Sequence, residues 1–94
     1  MKLYVVTRRD LLPSQQVVQV AHVVAKYMLE NPGEWNNETL VIYGVSNEVE
    51  LESILNSLKK RYVNHSESRE PDMGLSLTGI ASTSRNVFNK LKLL

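Results

Sequence analysis

The first half of the chain alternates between two apolar runs and one long amphipathic segment, which predicts a strand, a helix and a second strand. Lys2 to Thr7 is short and rich in β-branched residues and tyrosine, and Thr39 to Val45 is a second apolar run. Between them, apolar residues recur with a helical period from Gln15 onward, after Pro13, a residue that is tolerated in the first turn of a helix. Because continuous apolar runs suit buried parallel strands, we expect a right-handed β-α-β unit.

The apolar positions of this first helix form a broad arc on a helical wheel, as is typical of a helix that lies across a sheet. The arc is predicted to face the core, and it contains Val17, Val18, Ala21, Val24, Ala25, Met28 and Leu29. The opposite side is predicted to face solvent, and it contains Gln15, Gln19, Lys26 and Glu30. His22 lies just beyond the apolar edge, where we expect a half-shielded imidazole.

The second helix is predicted from a cap and a charge pattern. Ser46 or Asn47 caps its first turn, where the carboxylates that follow favour the positive end of the helix dipole. The residues predicted to face the core are Val49, Ile54, Leu55 and Leu58. The helix is predicted to end at three cations, Lys59, Lys60 and Arg61.

Two more strands and a short helix are predicted to complete the domain. The predicted segments are an edge strand at Tyr62 to His65, a polar loop at Ser66 to Gly74, a strand at Leu75 to Ala81, and a helix that begins at Ser82, Thr83 or Ser84 and buries Val87 and Phe88. The predicted order is β-α-β-α-β-β-α. We therefore expect one α/β domain over residues 1–94, with three α/β/α layers around a four-stranded mixed sheet.

The composition excludes some kinds of site but does not identify the function. The chain contains no cysteine, which excludes disulfides and thiolate–zinc sites. No stretch has the pattern of a signal peptide or a membrane span, so we expect a cytoplasmic protein without a membrane partner. The net charge is only +1, but cations cluster at Arg8–Arg9, at Lys59–Arg61 and at Lys90 and Lys92. These clusters are either solvated ends of helices and strands or parts of a surface that contacts phosphates.

The candidate chemistry lies in polar residues around one strand end, because no phosphate-binding glycine loop, nucleophile elbow or metal-ligand cluster is present. His22 shares the first helix with Gln15 and Gln19. Asp10 lies in the loop before that helix, and Asp72 lies in the second polar loop. Ligands of open α/β sheets bind at such strand ends, where an acid, an imidazole and amides can orient water for attack on an ester. The alternative interpretation gives His22 a structural role.

Four short motifs follow one another along nearly the whole chain. R-x-D-L includes Arg8 and Asp10, and Q-x-x-H joins Gln19 to His22 within the apolar helix. A D-x-G motif that begins at Asp72 then precedes an LTGIA strand, and the chain ends in LKLL. In this order the motifs resemble the archaeal and eukaryotic type of peptidyl-tRNA hydrolase.

The resemblance implies a small α/β/α domain with a four-stranded mixed sheet that cleaves the ester between a peptide and tRNA without a metal or other cofactor. By the same resemblance, His22 and Asp72 correspond to the family's helix histidine and second-loop aspartate. Gln19 and Asp10 correspond to its glutamine and loop aspartate. The chain departs from the family pattern in three places. Gln15 occupies the place of the lysine of a Gly-Lys pair, the loop before the helix is shorter, and residues that follow Gly74 in the family, including threonines near the site, are largely missing.

Two functional hypotheses follow. In the first, the protein hydrolyses peptidyl-tRNA or acyl-tRNA esters, with His22 and Asp72 as the pair that orients water. Its substrate-binding residues would be Asp10, Gln15, Gln19 and the phosphate ligands Arg8 and Arg9. In the second, the chain is a non-catalytic module that kept the fold and binds RNA or a protein. The sequence leaves open whether the chain forms a homodimer.

Overall fold

The computed structural model describes residues 1–84, 88 and 90–94. Within them the strands are β1 (Leu3–Arg8), β2 (Leu40–Val45), β3 (Ser66–Glu70), β4 (Ser76–Ser82) and β5 (Lys92–Leu93). The helices are α1 (Pro13–Glu30) and α2 (Glu48–Lys60), and a single 3-10 turn covers Pro71–Met73. No helix in these residues has the length and apolar content needed to cross a membrane.

The strands form one mixed sheet in the order β3-β4-β1-β2-β5. The predicted parallel pairing of the first two strands is confirmed, with a register that runs from Leu3 opposite Leu40 to Arg8 opposite Val45. β4 is antiparallel to both β1 and β3. β1, β2 and β3 therefore all end at the same edge of the sheet, called the upper edge below.

The sheet has five strands, where the sequence predicted four. The additional strand, β5, pairs antiparallel with β2 through two residues only. Arg9 helps to hold it, because its guanidinium donates to the carbonyls of Gly44 at 2.5 Å and Leu93 at 2.6 Å. A two-residue strand is too short to produce a periodic sequence pattern.

Phe88, which was predicted to be buried by the last helix, is described by the structure and lies in the core. It is fully buried, and its ring centroid lies 6.1 Å from those of Tyr4 and Tyr43. Most of that predicted helix, including Val87, falls outside the described residues.

Two apolar clusters lie on opposite faces of β1, because side chains alternate across a strand. Leu3 and Val5 pack with α1, and Tyr4 and Val6 pack with α2. The buried residues of α2 are Leu51, Leu55 and Leu58. The prediction that Val49 faces the core is wrong, since this side chain is 78% exposed.

The face that α1 turns to the sheet differs from the predicted one. The buried residues are Gln19, Val20, Val23 and Tyr27. The predicted inward arc is largely exposed, with Val17 at 70% and Leu29 at 82%. Apolar residues occupy much of the circumference of α1, so hydrophobicity alone does not select the buried face. Gly79 in β4 favours the observed one, because a Cβ at that position would lie only 3.2 Å from Val23 Cγ1.

The third strand also lies later in the chain than predicted. Tyr62 to His65 is not a strand, and the predicted polar loop supplies β3 as Ser66–Glu70. Polar side chains of β3 have hydrogen-bond or ion-pair partners within the fold. Ser66 donates to Glu30, and Arg69 pairs with Glu52 and Glu67. Backbone hydrogen bonds to β4 hold an edge strand of this kind, so its sequence need not show an apolar periodicity.

Candidate functional site

A β-bulge in β4 directs a threonine toward α1. Ser68 pairs with Gly79 and Arg69 pairs with Leu77, so Thr78 is the extra residue between them. The Thr78 hydroxyl oxygen lies 2.7 Å from Gln19 Oε1 and 3.1 Å from the Ser68 carbonyl oxygen, two acceptors for its single proton. Its own carbonyl accepts from the Thr7 hydroxyl at 2.9 Å. The bulge therefore builds a polar contact into the interface between helix and sheet.

Gln19 extends this contact to the surface. Its side chain was predicted to face solvent, but the residue is 5% exposed. While its amide oxygen faces Thr78, its Nε2 donates to Glu70 Oε2 at 3.0 Å. Burying an amide is costly unless it is hydrogen-bonded, and here both ends of the amide have partners. Gln19 thus acts as a buried support for the Glu70 carboxylate.

Glu70 ends β3 at the upper edge and carries an ionised carboxylate beside α1. The Gln19 amide is the main cause that lowers its pKa, followed by the backbone N–H of Asp72, which donates to Glu70 Oε1 at 3.3 Å. A positive charge on His22 lowers the pKa of Glu70 as well. The exposed imidazole of His22 is therefore an electrostatic neighbour of a fixed negative charge.

Asp72 lies close to this group, in the 3-10 turn that follows β3. Its backbone N–H contacts Glu70, whereas its carboxylate is exposed. Among the hydrogen bonds of the described residues, none joins His22 to Asp72. The structure thus places Gln19, Glu70 and Asp72 in one contact chain, and His22 lies one helical turn after Gln19 on α1.

Arg8 and Asp10 form a separate pair. Arg8 Nε and Nη2 donate to the two Asp10 carboxylate oxygens, each at 2.9 Å, and Nη1 donates to Ser76 and to the Leu77 carbonyl. This bidentate contact lowers the pKa of Asp10. Arg8 continues the row of Tyr4 and Val6, so its side chain lies on the α2 face, opposite the face that packs against α1.

The geometry of Arg8, Arg9 and Gln15 supports structural roles instead of the predicted substrate contacts. Arg8 is 9% exposed, and most of its N–H groups are already used. Arg9 binds two backbone carbonyls across β2 and β5. Gln15 accepts from the backbone N–H of Leu12 at 3.0 Å, which satisfies one of the free donors at the start of α1.

Sequence reasoning missed Thr7, Glu70 and Thr78. Both threonines are fully buried within otherwise apolar strands, and a hydroxyl in such a run requires a partner. The need of a buried hydroxyl for a hydrogen-bond partner was the one sequence signal that could have identified the two threonines. Glu70 lies two residues before Asp72 in what was predicted to be a loop, so it was not separated from the other acidic residues there.

The described part of the chain contains no ligand set for a metal ion. No group of three or more histidine, aspartate or glutamate side chains there is arranged to hold a metal ion. The titratable side chains described in this region are the His22 imidazole on α1, the Glu70 carboxylate held by Gln19 and the exposed Asp72 carboxylate.

Comparison with known proteins shows a shared fold. No model of a known protein family matches the chain, and no curated protein matches it. A solved structure is similar: the protein of unknown function Atu0240 from Agrobacterium tumefaciens str. C58. The two share a TM-score of 0.77 at 15% sequence identity, over 99% of this chain and 96% of that one. At this identity the similarity extends to the fold alone.

Proposed function

We propose that the protein is a peptidyl-tRNA hydrolase-like esterase that uses His22 to activate water. The observation that carries this proposal is the Gln19–Glu70 contact at 3.0 Å, which fixes a carboxylate whose electrostatic surroundings include the exposed imidazole of His22, one helical turn after Gln19. An imidazole next to a fixed negative charge can accept a proton and hold the resulting positive charge. The resemblance of the Q-x-x-H and D-x-G motifs to those of the hydrolase family supports the choice of substrate.

In the proposed reaction His22 acts first as a general base and then as a general acid. Neutral His22 takes a proton from water as the water oxygen bonds to the ester carbonyl carbon. The tetrahedral intermediate then collapses, the bond to the ribose oxygen of tRNA breaks, and the imidazolium gives its proton to that oxygen. The products are a peptide carboxylic acid, which ionises in water, and tRNA with a free hydroxyl.

The neighbouring residues divide the remaining tasks. Glu70 is proposed as a positioning residue for the His22 imidazole. Gln19 holds Glu70 in place from the buried side. Asp72, exposed in the following turn, is proposed to orient the attacking water. Arg8, Arg9 and Gln15 have no part in this mechanism, since the fold occupies their polar groups.

The experiment is hydrolysis of a model peptidyl-tRNA by the wild-type protein and by His22→Ala. Loss of a general base should lower turnover about 100-fold or more, while the melting temperature stays near that of the wild type because His22 is exposed. Leu29→Ala is the matched control, an exposed residue on the same helix, and it should keep wild-type turnover. Equal turnover by His22→Ala and the wild type would contradict the proposal.

A second candidate function is a non-catalytic module that binds RNA or a protein. The observation that favours it is the use of Gln15 for the start of α1, at the position where the resembled family carries a lysine. A backbone-bonded amide cannot supply the charge of a free lysine to a phosphate or an oxyanion. In this case the wild-type protein would not accelerate ester hydrolysis above the rate in buffer, so the same assay separates the two candidates.

A further inference from the structure

α2 ends in a backbone geometry that normally requires glycine. The N–H of Val63 donates to the Leu58 carbonyl at 3.0 Å, and that of Tyr62 donates to the Lys59 carbonyl at 3.2 Å. These bonds form the Schellman arrangement, whose key residue adopts a left-handed conformation. That residue is Tyr62, with a φ of 54°. A side chain with a Cβ is disfavoured in this conformation, so the tyrosine costs stability that glycine would not.

The fold gains no visible compensation from this side chain. Tyr62 is 95% exposed, so its ring buries almost no apolar surface. Its hydroxyl has no hydrogen-bond partner among the described residues. When an exposed residue breaks a local rule without a structural gain, the strain points to a function.

Cations and two carboxylates lie around Tyr62, and the Glu34 carboxylate accepts from Asn64 Nδ2 at 3.1 Å. A cavity of about 440 Å³ opens beside it, lined by Lys59, Tyr62, Val63, Asn64 and His65. Lys60 and Arg61 are exposed immediately before the ring. The nearby carboxylate of Glu67 lies 3.7 Å from Lys59 and 3.0 Å from Arg69, so it is already shared between two cations. Cations at this position also suit the negative end of the helix dipole, but the dipole does not account for an exposed aromatic ring.

We infer that the turn Lys59–His65 is a binding site for single-stranded nucleic acid. The Tyr62 ring stacks on an unpaired base, and Lys60 and Arg61 bind the adjacent phosphates. Aromatic rings set among cations are the usual means of binding single strands without sequence preference. A protein partner could also use the apolar part of this cavity, but the exposed cations next to the ring favour a polyanion.

This site lies away from the proposed esterase site. α2 begins just after β2 ends at the upper edge, and its 13 residues carry the chain about 20 Å back to the opposite edge, where β3 starts. The inference does not depend on the proposed hydrolysis, since it concerns binding alone. It also replaces Arg8 and Arg9, whose guanidinium groups are held by the fold, with cations that are exposed.

The test is the binding of a short, fluorescently labelled single-stranded RNA of mixed sequence, followed by anisotropy. This RNA carries no acyl ester, so it is not consumed, and the difference in its binding between the wild type and variants of the turn reports on the turn. Tyr62→Gly should weaken binding about 10-fold or more, because stacking on an aromatic ring is lost. The same change should raise the melting temperature, because glycine accepts the left-handed conformation. Opposite changes in binding and stability exclude simple unfolding as the cause.

Two further variants complete the test. Tyr62→Phe keeps the ring and should bind within about 2-fold of the wild type. Lys60→Gln combined with Arg61→Gln should reduce the dependence of log K on log salt by about 1.4, since each phosphate contact on a single strand contributes about 0.7. Unchanged binding by Tyr62→Gly, or equal affinity of the wild type for single-stranded and duplex RNA of the same sequence, would overturn the inference.

Discussion

The amide of Gln19 is 5% exposed, yet it connects a buried hydroxyl of β4 to a carboxylate at the upper edge of the sheet. The motif Q-x-x-H identified Gln19 and His22 from the sequence. It could not identify Glu70, because the contact between Gln19 and Glu70 joins residues 51 positions apart. Nor could it show that Gln19 is buried, since an amide is buried only where both of its ends find partners. The partner Thr78 is presented by a bulge that the sequence does not reveal.

Glu70 gives a prediction of pH dependence. Its folded pKa is lowered, mainly by the Gln19 amide and then by the Asp72 backbone N–H, so ionised Glu70 stabilises the fold above its ordinary pKa of 4.5. This stabilisation is lost as the pH falls through the lowered pKa. Glu70→Gln should therefore be less stable than the wild type at neutral pH, and the difference should shrink as the pH falls below about 4.5. Urea unfolding of both proteins across this range measures it.

The wild-type protein and Glu70→Gln must be compared at each pH, because other carboxylates titrate in the same range. Asp10 and Glu48 also have lowered pKa values, through Arg8 and through the Leu77 N–H respectively. Both proteins should therefore lose stability in acid, and only the difference between them reports on Glu70. A difference that stays constant from neutral to acidic pH would show that the Gln19–Glu70 contact does not favour the charged carboxylate.

α1 illustrates what an element's sequence can and cannot predict. Its extent was predicted closely, because Pro13 and the stop after Glu30 are local signals. Its buried face was not, because valines lie on both sides of the helix. The close approach to Gly79 in β4 is a tertiary contact, and it places Val23 inward and Val17 outward. The same limit applies to β3 and β5, whose residues are held by pairing and carry little apolar periodicity.

Val17 and Val23 provide a matched test of this orientation. Val23 is fully buried, so Val23→Ala should lower the free energy of unfolding by about 2 kcal/mol through lost burial and a small cavity. Val17 is 70% exposed on the same helix, so Val17→Ala should change it by no more than about 0.5 kcal/mol. Both substitutions raise helix propensity equally, which removes that effect from the comparison. Chemical denaturation measures both, and equal losses would contradict the observed face.

The fold of the molecule is built around the parallel pair β1 and β2 in the middle of its sheet. The sequence predicted this pair because both strands are continuous apolar runs and a helix of the right length joins them. The residues that form β3 and the addition of β5 depend on contacts between distant segments, so they could not be read from local patterns. The resulting fold resembles that of Atu0240 at a TM-score of 0.77.

This topology also explains why the predicted site is only partly assembled. β1 and β3 end at the same edge, which brings the loops that carry Asp10 and Asp72 to one end of the molecule. The alternation of side chains along β1 then places Arg8, and the Asp10 bound to it, on the α2 face. Glu70 remains on the α1 face, where it accepts from Gln19, on the helix that also carries His22. The parallel pairing of β1 and β2 could be predicted from the sequence, but the face of each site side chain could not.

The most direct test of the account is a double-mutant cycle on turnover of a model peptidyl-tRNA, with wild type, His22→Ala, Glu70→Gln and the double variant. If Glu70 acts through His22, Glu70→Gln should lower kcat at nearly constant KM in the wild type. It should then have almost no further effect once His22 is replaced, because the two residues act as a unit. Additive losses in the double variant, or a Glu70→Gln protein with wild-type kcat, would contradict the account.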